Sequence, residues 1–388
     1  MIDFKTTSLK EVLNHKTMYY DKIDFTIVKK SYDILSSHIT LPYVIHIVGT
    51  NGKGSTGRFL SHYLNKMSFK TLHNSSPHIL KFNERIWING RDSFDEELDF
   101  ANKKIQRLLD IELLEKLTYF EYTTLLAVVL SDGFDYLILE AGLGGEFDAT
   151  NVVPSNLSLI TTIDLDHQNF LGNTIEKIAR TKMRSVDKKM IIGYQIHQEV
   201  YEVAKLVKKE LKKELNIEIL IQIVKRFDKY SLNKKFANYL KTNLHLVIAT
   251  LKELDIKLDL EIFDEVKLFG RCEKIAENIT IDVGHNPLAA KVLAKEFKNK
   301  KINLIYNSYA DKDYEEVLRI LKPIIKKITI LDIDDKRIVN KNNLLEICQT
   351  LNIITFNLEE IKENEEYLVF GSFLVVENFI RNMGFNEK

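Results

Sequence analysis

The eight residues Gly49, Thr50, Asn51, Gly52, Lys53, Gly54, Ser55 and Thr56 carry the clearest chemistry in the chain. They lie between a β-branched run, Tyr43–Val48, and a stretch where Phe59, Leu60, Tyr63, Leu64 and Met67 recur at helical spacing. A glycine turn between a strand and a helix lets backbone N–H groups converge on phosphate oxygens, and the helix N-terminus adds partial positive charge. Lys53 would then reach the β- and γ-phosphates of a nucleotide. A hydroxyl at Ser55 or Thr56 would approach a phosphate or its Mg2+. The spacing is G-x-x-G-K-G-[ST], shorter than the common G-x-x-x-x-G-K-[ST]. The plainer alternative is a glycine turn with an incidental lysine; the flanking strand and helix favour a nucleotide site.

Two further groups fit beside such a loop. The apolar run Tyr136–Glu140 ends in a carboxylate and is followed by Ala141, Gly142, Leu143, Gly144 and Gly145. In phosphate-loop enzymes an acid at a strand end holds the metal beside the phosphates. Alone, such an acid is simply solvated; beside a nucleotide loop and a double glycine, the metal role is favoured. His167 follows another apolar run, 157–163, expected to end at the same sheet edge as Gly49 and Glu140. That convergence favours a ligand over a surface histidine. Spacing alone says nothing of Lys182. No Ser-His or Cys-His arrangement points to a covalent enzyme nucleophile.

These residues need a sheet with crossover helices, and the sequence has that pattern: short β-branched runs alternate with amphipathic stretches. Helices are expected at 121–131, 175–186 and 238–254, and strands at 43–48, 136–139, 157–163 and 190–192. A second series begins near Leu268, with strands at 279–283, 302–306, 328–331, 353–355 and 367–370. It reads as a smaller, doubly wound α/β domain. The boundary is expected within 257–269, giving domains 1–267 and 268–388, although no Pro/Gly linker marks it.

The 388 residues contain 55 basic and 55 acidic side chains, so bulk charge asks for neither nucleic acid nor a membrane surface. Lysine-rich stretches at 205–213 and 295–301 read as solvated helix faces. Two cysteines, Cys272 and Cys348, have no metal-ligand spacing and argue against a disulfide framework, which makes a reducing cytoplasm the expected setting. The first ten residues show no apolar signal segment, and the longest apolar runs fall short of a membrane span.

Taken together, the motifs resemble folylpolyglutamate synthase and its bifunctional bacterial form, dihydrofolate synthase, within the Mur ligase group. The resemblance rests on the segments 46–56, 75–78, 83–86, 119–121, 139–145, 148–151, 166–172, 270–271, 282–287, 311–313 and 371–372, which fall in family order. It implies an N-terminal phosphate-loop ATPase domain of Mur-ligase type with a mostly parallel sheet, plus a C-terminal Rossmann-like α/β domain. ATP and substrates would occupy the cleft between them. By the same resemblance, the residues 49–56 hold ATP, and Ser76 joins Glu140 and His167 around Mg2+. Lys182 corresponds to a carbamylated lysine whose charge becomes carboxylate-like. Asn243, Arg271 and Asp282 complete the ATP site. His285 and Ser372 face L-glutamate, while Phe120, Glu121, Phe147, Asp148 and Ala149 border the pteroate or folate.

The implied reaction has two steps. The acceptor carboxylate attacks the γ-phosphate to give an acyl phosphate and ADP; the glutamate amine then displaces phosphate. Lys53, Lys182 and His285 would be the catalytic side chains. ATP and Mg2+ are the implied cofactors, and the expected form is a monomer without nucleic-acid or membrane partners. A Mur-type ligase on another carboxylate acceptor and a phosphate-loop ATPase without ligation are the alternatives; a bare ATPase has no need of Asp282 with His285, Asn286 and Pro287. Two departures from the family stand out. Glu146 occupies a position where the family usually has Arg. Lys182 is preceded by Thr181 rather than Glu and followed by Met183, Arg184 and Ser185 rather than Ala-Gly-Ile. The region before Asn243 also lacks the family's His-Gln pair.

Overall fold

The computed structural model describes residues 4–18, 25–224 and 236–385. The chain divides into two compact units, Met1–Asn233 with Leu240–Val266, and Lys234–Tyr239 with Lys267–Lys388. Among the described residues, the first unit contains β1 (Tyr43–Val48), β2 (Thr71–Asn74), β3 (Ile86–Ile88), β4 (Arg91–Asp92), β5 (Tyr136–Glu140), β6 (Leu157–Ile160), β7 (Lys189–Ile192) and β8 (Leu220–Ile223). They form one sheet in the order β4-β3-β2-β5-β1-β6-β7-β8. From β2 to β8 every pairing is parallel; β3 and β4 add an antiparallel margin.

The central strands β1 and β5 are almost wholly apolar because helices cover both faces, the usual composition of buried parallel strands. On one face Val44, Leu72, Leu137 and Leu139 pack against Tyr122, Leu125 and Val129 of the helix Tyr119–Leu130. A second cluster joins Val48, Ile160 and Ile192 to Ile178, Met183, Val200 and Val207. Register then fixes what the sheet presents: Ile47 pairs with Glu140, and Val48 with Ile160. The loop after β1 is thus flanked by the carboxylate ending β5 and the turn leaving β6, the place where open α/β sheets bind ligands.

The second unit carries β9 (Glu273–Ala276), β10 (Ile279–Asp282), β11 (Ile302–Tyr306), β12 (Ile325–Ile330) and β13 (Tyr367–Phe370). Their order is β12-β11-β13-β10-β9, parallel except for β9. Leu304, Tyr306, Leu368 and Phe370 pack with Val317, Leu321 and Leu344 of the covering helices. The fold is therefore the two-part α/β architecture expected, with a large, mostly parallel sheet and a smaller mixed one.

Local differences have local causes. The run 353–355 is not a strand: at the sheet margin, Thr355 makes one isolated bridge to Ile328. The strand expected over 157–163 stops at Ile160, because Thr162 turns away to accept the N–H groups of Thr50 and Asn51 at 2.9 and 3.2 Å. The hairpin β3–β4 was not anticipated, although Asn89-Gly90 signals it. Both residues adopt the positive φ that a two-residue primed turn demands, 46° and 97°. No helix among the described residues is long and apolar enough to cross a membrane.

Candidate active site

The phosphate loop is held from three sides. Thr50 Oγ1 donates to Asp164 O at 2.9 Å and accepts from Asp164 N at 3.1 Å. Asp164 in turn lies 3.0 Å from His197 Nε2. Gly52 takes φ 91°, and a Cβ there would sit 2.5 Å from Asn243 Oδ1, so both conformation and space require glycine. Asn243 is buried on the helix Asn238–Glu253 and donates to Ser55 Oγ at 2.8 Å. The expected ATP-site residue Asn243 thus buttresses the loop from beneath. Lys53 opens the helix Lys53–Lys66, with its ammonium 3.2 Å from Gly49 O and 3.4 Å from Thr50 O.

At the end of the loop, no group among the described residues hydrogen-bonds the buried Thr56 Oγ1, a costly arrangement unless a ligand completes it. Ser76 N donates to Glu140 Oε2 at 3.1 Å, so the structure brings these two expected metal-site residues together. His167 is exposed, in the left-handed region at φ 50°, and starts the short helix Gln168–Leu171. Among the described residues no group of three or more His, Cys, Asp and Glu side chains is arranged to hold a metal. The available donors are a carboxylate and hydroxyls. Such oxygen donors fit a hard divalent cation that shares its shell with phosphate.

Lys182 lies on the helix Ile175–Met183 and is 5% exposed. Burial, reinforced by the Lys53 charge, pushes its amine down to about 7, while Asp166 and Asp148 act in the opposite direction. Near neutral pH a large fraction is uncharged and nucleophilic, the form that reacts with carbon dioxide to give a carbamate. Sequence reasoning passed over Arg58, whose guanidinium stacks 4.9 Å from the Trp87 ring. Burial pushes it down to about 10, and Asp92, Glu84 and Glu140 favour its charged form. It is a second cation near Glu140, one turn of helix beyond the loop, where an arginine signals little by itself.

The expected acceptor-bordering residues divide. Phe120 packs against Gly142, where a Cβ would lie 2.7 Å from the ring, and Phe147 is 57% exposed. Glu121 is instead buried in a capping box: its Oε2 accepts from Thr118 N at 2.8 Å and Thr118 Oγ1 at 2.9 Å. Asp148 is buried and builds the turn. It accepts from Leu143 N at 2.7 Å, Thr150 N at 3.0 Å and Thr150 Oγ1 at 2.6 Å. Burial raises its carboxyl above the ordinary range, and these hydrogen bonds oppose that rise. Ala149 is buried beside it.

In the second unit, Asp282 ends β10 and accepts from Tyr239 Oη at 2.8 Å, Cys272 N at 2.9 Å and Gly284 N at 2.7 Å. Its carboxyl is raised by burial, against the pull of Arg271. Arg271 stacks 5.1 Å from the Phe373 ring. His285 Nδ1 lies 3.2 Å from Val283 O. A carbonyl only accepts, so Nδ1 carries the proton in the neutral ring and Nε2 is the basic nitrogen. The adjoining helix Pro287–Glu296 is capped by Asn286, not His285. Ser372 is fully buried, and its hydroxyl accepts from Val375 N at 3.1 Å as cap of the helix Phe373–Met383.

A phosphate loop on a mostly parallel sheet, accompanied by a smaller α/β unit, defines the phosphate-loop ATPase class that includes ligases. The chain is 30% identical over 428 residues to a dihydrofolate synthase/folylpolyglutamate synthase of Haemophilus influenzae, covering 96% of this chain and 97% of the relative. It is similar to the crystal structure of Helicobacter pylori folylpolyglutamate synthetase, with 38% identity, a TM-score of 0.74, and 97% and 98% of the two chains covered. A Yersinia pestis folylpolyglutamate synthase/dihydrofolate synthase complexed with AMPPNP and Mn ion shares the fold, with a TM-score of 0.82, 24% identity, and 99% and 100% coverage. No protein-family model matches. The chain belongs to the dihydrofolate synthase/folylpolyglutamate synthase family and is an ATP-dependent acid–amino acid ligase.

Proposed function

We propose that the chain adds L-glutamate to dihydropteroate, to folyl-glutamates, or to both, through an acyl-phosphate intermediate. The observation that carries this reading is the loop over residues 49–56, braced by Asp164 and Asn243, with Lys53 and the unpartnered Thr56 hydroxyl at its helix start. Family membership supplies the class of acceptor.

In this reading the helix-start amides and Lys53 hold the ATP phosphates and offset the charge that moves as the acceptor carboxylate attacks. Glu140, Ser76 and His167, with Lys182 if carbamylated, would hold Mg2+, which would supply further charge neutralisation. Arg271 and Asp282 are the further residues proposed for the nucleotide, with Asp282 fixing the Gly270–Cys272 turn through its hydrogen bond to Cys272 N. His285 Nε2 takes the proton from the glutamate amine as the amide forms and phosphate leaves. Phe120 and Phe147 border the acceptor, while Glu121, Asp148 and Ala149 shape the segments that carry them. We also propose that 1–267 and 268–388 act as the functional domains of a cytoplasmic monomer.

The test is ATP-dependent ligation of glutamate to dihydropteroate or tetrahydrofolate, with Lys53→Ala as control. Amide product from the wild type and none from the variant is the expected result. ADP release without any amide would overturn the ligase reading.

A further inference from the structure

The loop after β5 is fastened to the helix that carries Lys182. Glu146 N donates to Thr181 O at 3.0 Å, and Asn151 Nδ2 donates to Glu146 O at 2.9 Å. Gly145 lies so close that a Cβ would sit 2.6 Å from Lys182 O. To these backbone ties the Glu146 side chain adds a charged one: Arg184 Nε donates to its Oε1 at 2.7 Å. The Arg184 side chain is 14% exposed, and its other nitrogens meet Glu210 at 3.4 Å and Glu214 at 3.0 Å on the helix Glu199–Leu215. Arg180 also reaches Glu210, at 2.9 Å. The carboxylates around it push the Arg184 guanidinium further toward its charged form.

One residue of each departure from the family pattern therefore belongs to a single interaction. The acid at 146 and the arginine at 184 are partners, and the acids of the second helix hold the guanidinium in place. An isolated surface ion pair contributes little. Here, however, the pair is half-buried, joins three elements, and lies between two functional positions. Phe147 follows Glu146 directly, and Lys182 lies two residues before Arg184.

We propose that Glu146 is a positioning residue for the acceptor. Through Arg184 it latches residues 142–147 to the helix Ile175–Met183, and so sets where Phe147 stands relative to Lys182. The proposal rests on the acceptor assignment above. A group displaced by about 1 Å can lower a rate 100-fold, so a modest latch has a measurable effect on the acceptor.

The experiment compares wild type, Glu146→Ala, Glu146→Gln, Arg184→Met and the Glu146→Ala/Arg184→Met double variant. Readouts are KM for the folate acceptor, KM for ATP, kcat and the thermal midpoint. Glu146→Ala is expected to raise acceptor KM about tenfold while ATP KM stays within about twofold, because the exposed loop residue Phe147 is freed while Lys182 stays buried in its own helix. Glu146→Gln keeps an oxygen for Arg184 Nε and restores most of the loss. The double variant is no worse than either single one, as partners in one interaction should be. Additive losses, an unchanged acceptor KM, or a parallel change in ATP KM and kcat would each overturn the latch. A wild type that forms no amide overturns the proposed function, and the acceptor role of Glu146 with it. An active wild type whose Glu146→Ala variant keeps its acceptor KM overturns the latch alone.

Discussion

Glu140 and Asp282 look alike in sequence, each an acid at the end of an apolar strand, yet their surroundings differ. Glu140 stands in a region of facing charges, where Arg58 meets Glu84, Asp92 and Glu140 itself, and Lys53 and Lys182 meet Asp148; among the described residues no group hydrogen-bonds the buried Thr56 hydroxyl there. Asp282 stands where polar groups complete one another: it binds Tyr239, Cys272 and Gly284, while Asn286 and Ser372 cap helices. The first region is prepared for an anion that arrives from outside. Around Asp282 the second is a satisfied hydrogen-bonded cluster, with Arg271 and His285 close to it in sequence. An unmet buried polar atom is expensive, and the one at Thr56 lies at the start of a helix that follows a phosphate loop, where a bound phosphate or its metal would supply the partner.

Perturbing the first region should therefore affect activity before stability. Lys53→Ala should lower kcat by on the order of 100- to 1,000-fold, the range for removing one group aimed at transition-state charge. The thermal midpoint should stay close to that of the wild type, because the ammonium's hydrogen bonds go to two carbonyls of its own loop, Gly49 O and Thr50 O. A large fall in the midpoint would break the contrast between the regions.

Lys182→Met should lower activity by about 10- to 100-fold if the lysine supports the metal site from its outer shell. The amine also gives the fold a pH signature. Its folded value is about 7 against an unfolded 10.5, so the native state binds fewer protons between these limits. Its contribution to stability is complete above pH 10.5, is lost as pH falls through about 7, and changes no further below. Denaturant unfolding between pH 7 and 10.5 should show this slope in unmodified wild type and not in Lys182→Met. Labelled bicarbonate should give a carbamate carbon signal from the wild type alone.

Asp282→Ala should show the opposite balance. It leaves the Tyr239 hydroxyl and two backbone N–H groups without their acceptor, at a cost of about 1–3 kcal/mol for each buried group that finds no substitute. Denaturant unfolding should show a second unit destabilised by at least that amount. Glu140→Ala should cost less stability and abolish metal-dependent turnover.

The contrast also explains what the sequence made legible. The phosphate loop was readable because its function depends on backbone conformation, which only glycines at set positions allow. The strands β1, β5, β11 and β13 were readable because burial on both faces leaves a continuous apolar run. Asn243 beneath the loop was not readable from spacing, since its partner Ser55 lies 188 residues away and pairing at that range leaves no local pattern. Arg184 with Glu146 was hidden for the same reason. Glu121 carries a second, local signal: Thr118-x-x-Glu121 is a capping-box pattern, readable from the sequence beside the substrate role that the resemblance implied. A residue near a site often acts by building the helix that carries its neighbour, here Phe120.

Ser372 provides the finest test of the division. Its hydroxyl accepts from Val375 N and is fully buried, so it caps a helix as well as being the residue expected to face glutamate. Replacing a serine cap by alanine costs about 1 kcal/mol, whereas glycine costs only a few tenths. Both substitutions remove the hydroxyl. If it acts only as a cap, Ser372→Ala should lower the thermal midpoint and Ser372→Gly should barely move it, with glutamate KM unchanged in both. If the hydroxyl meets glutamate when the substrate binds, both variants should raise glutamate KM equally, whatever their stability. The glycine variant decides between the two, since it separates the loss of the hydroxyl from the loss of the cap.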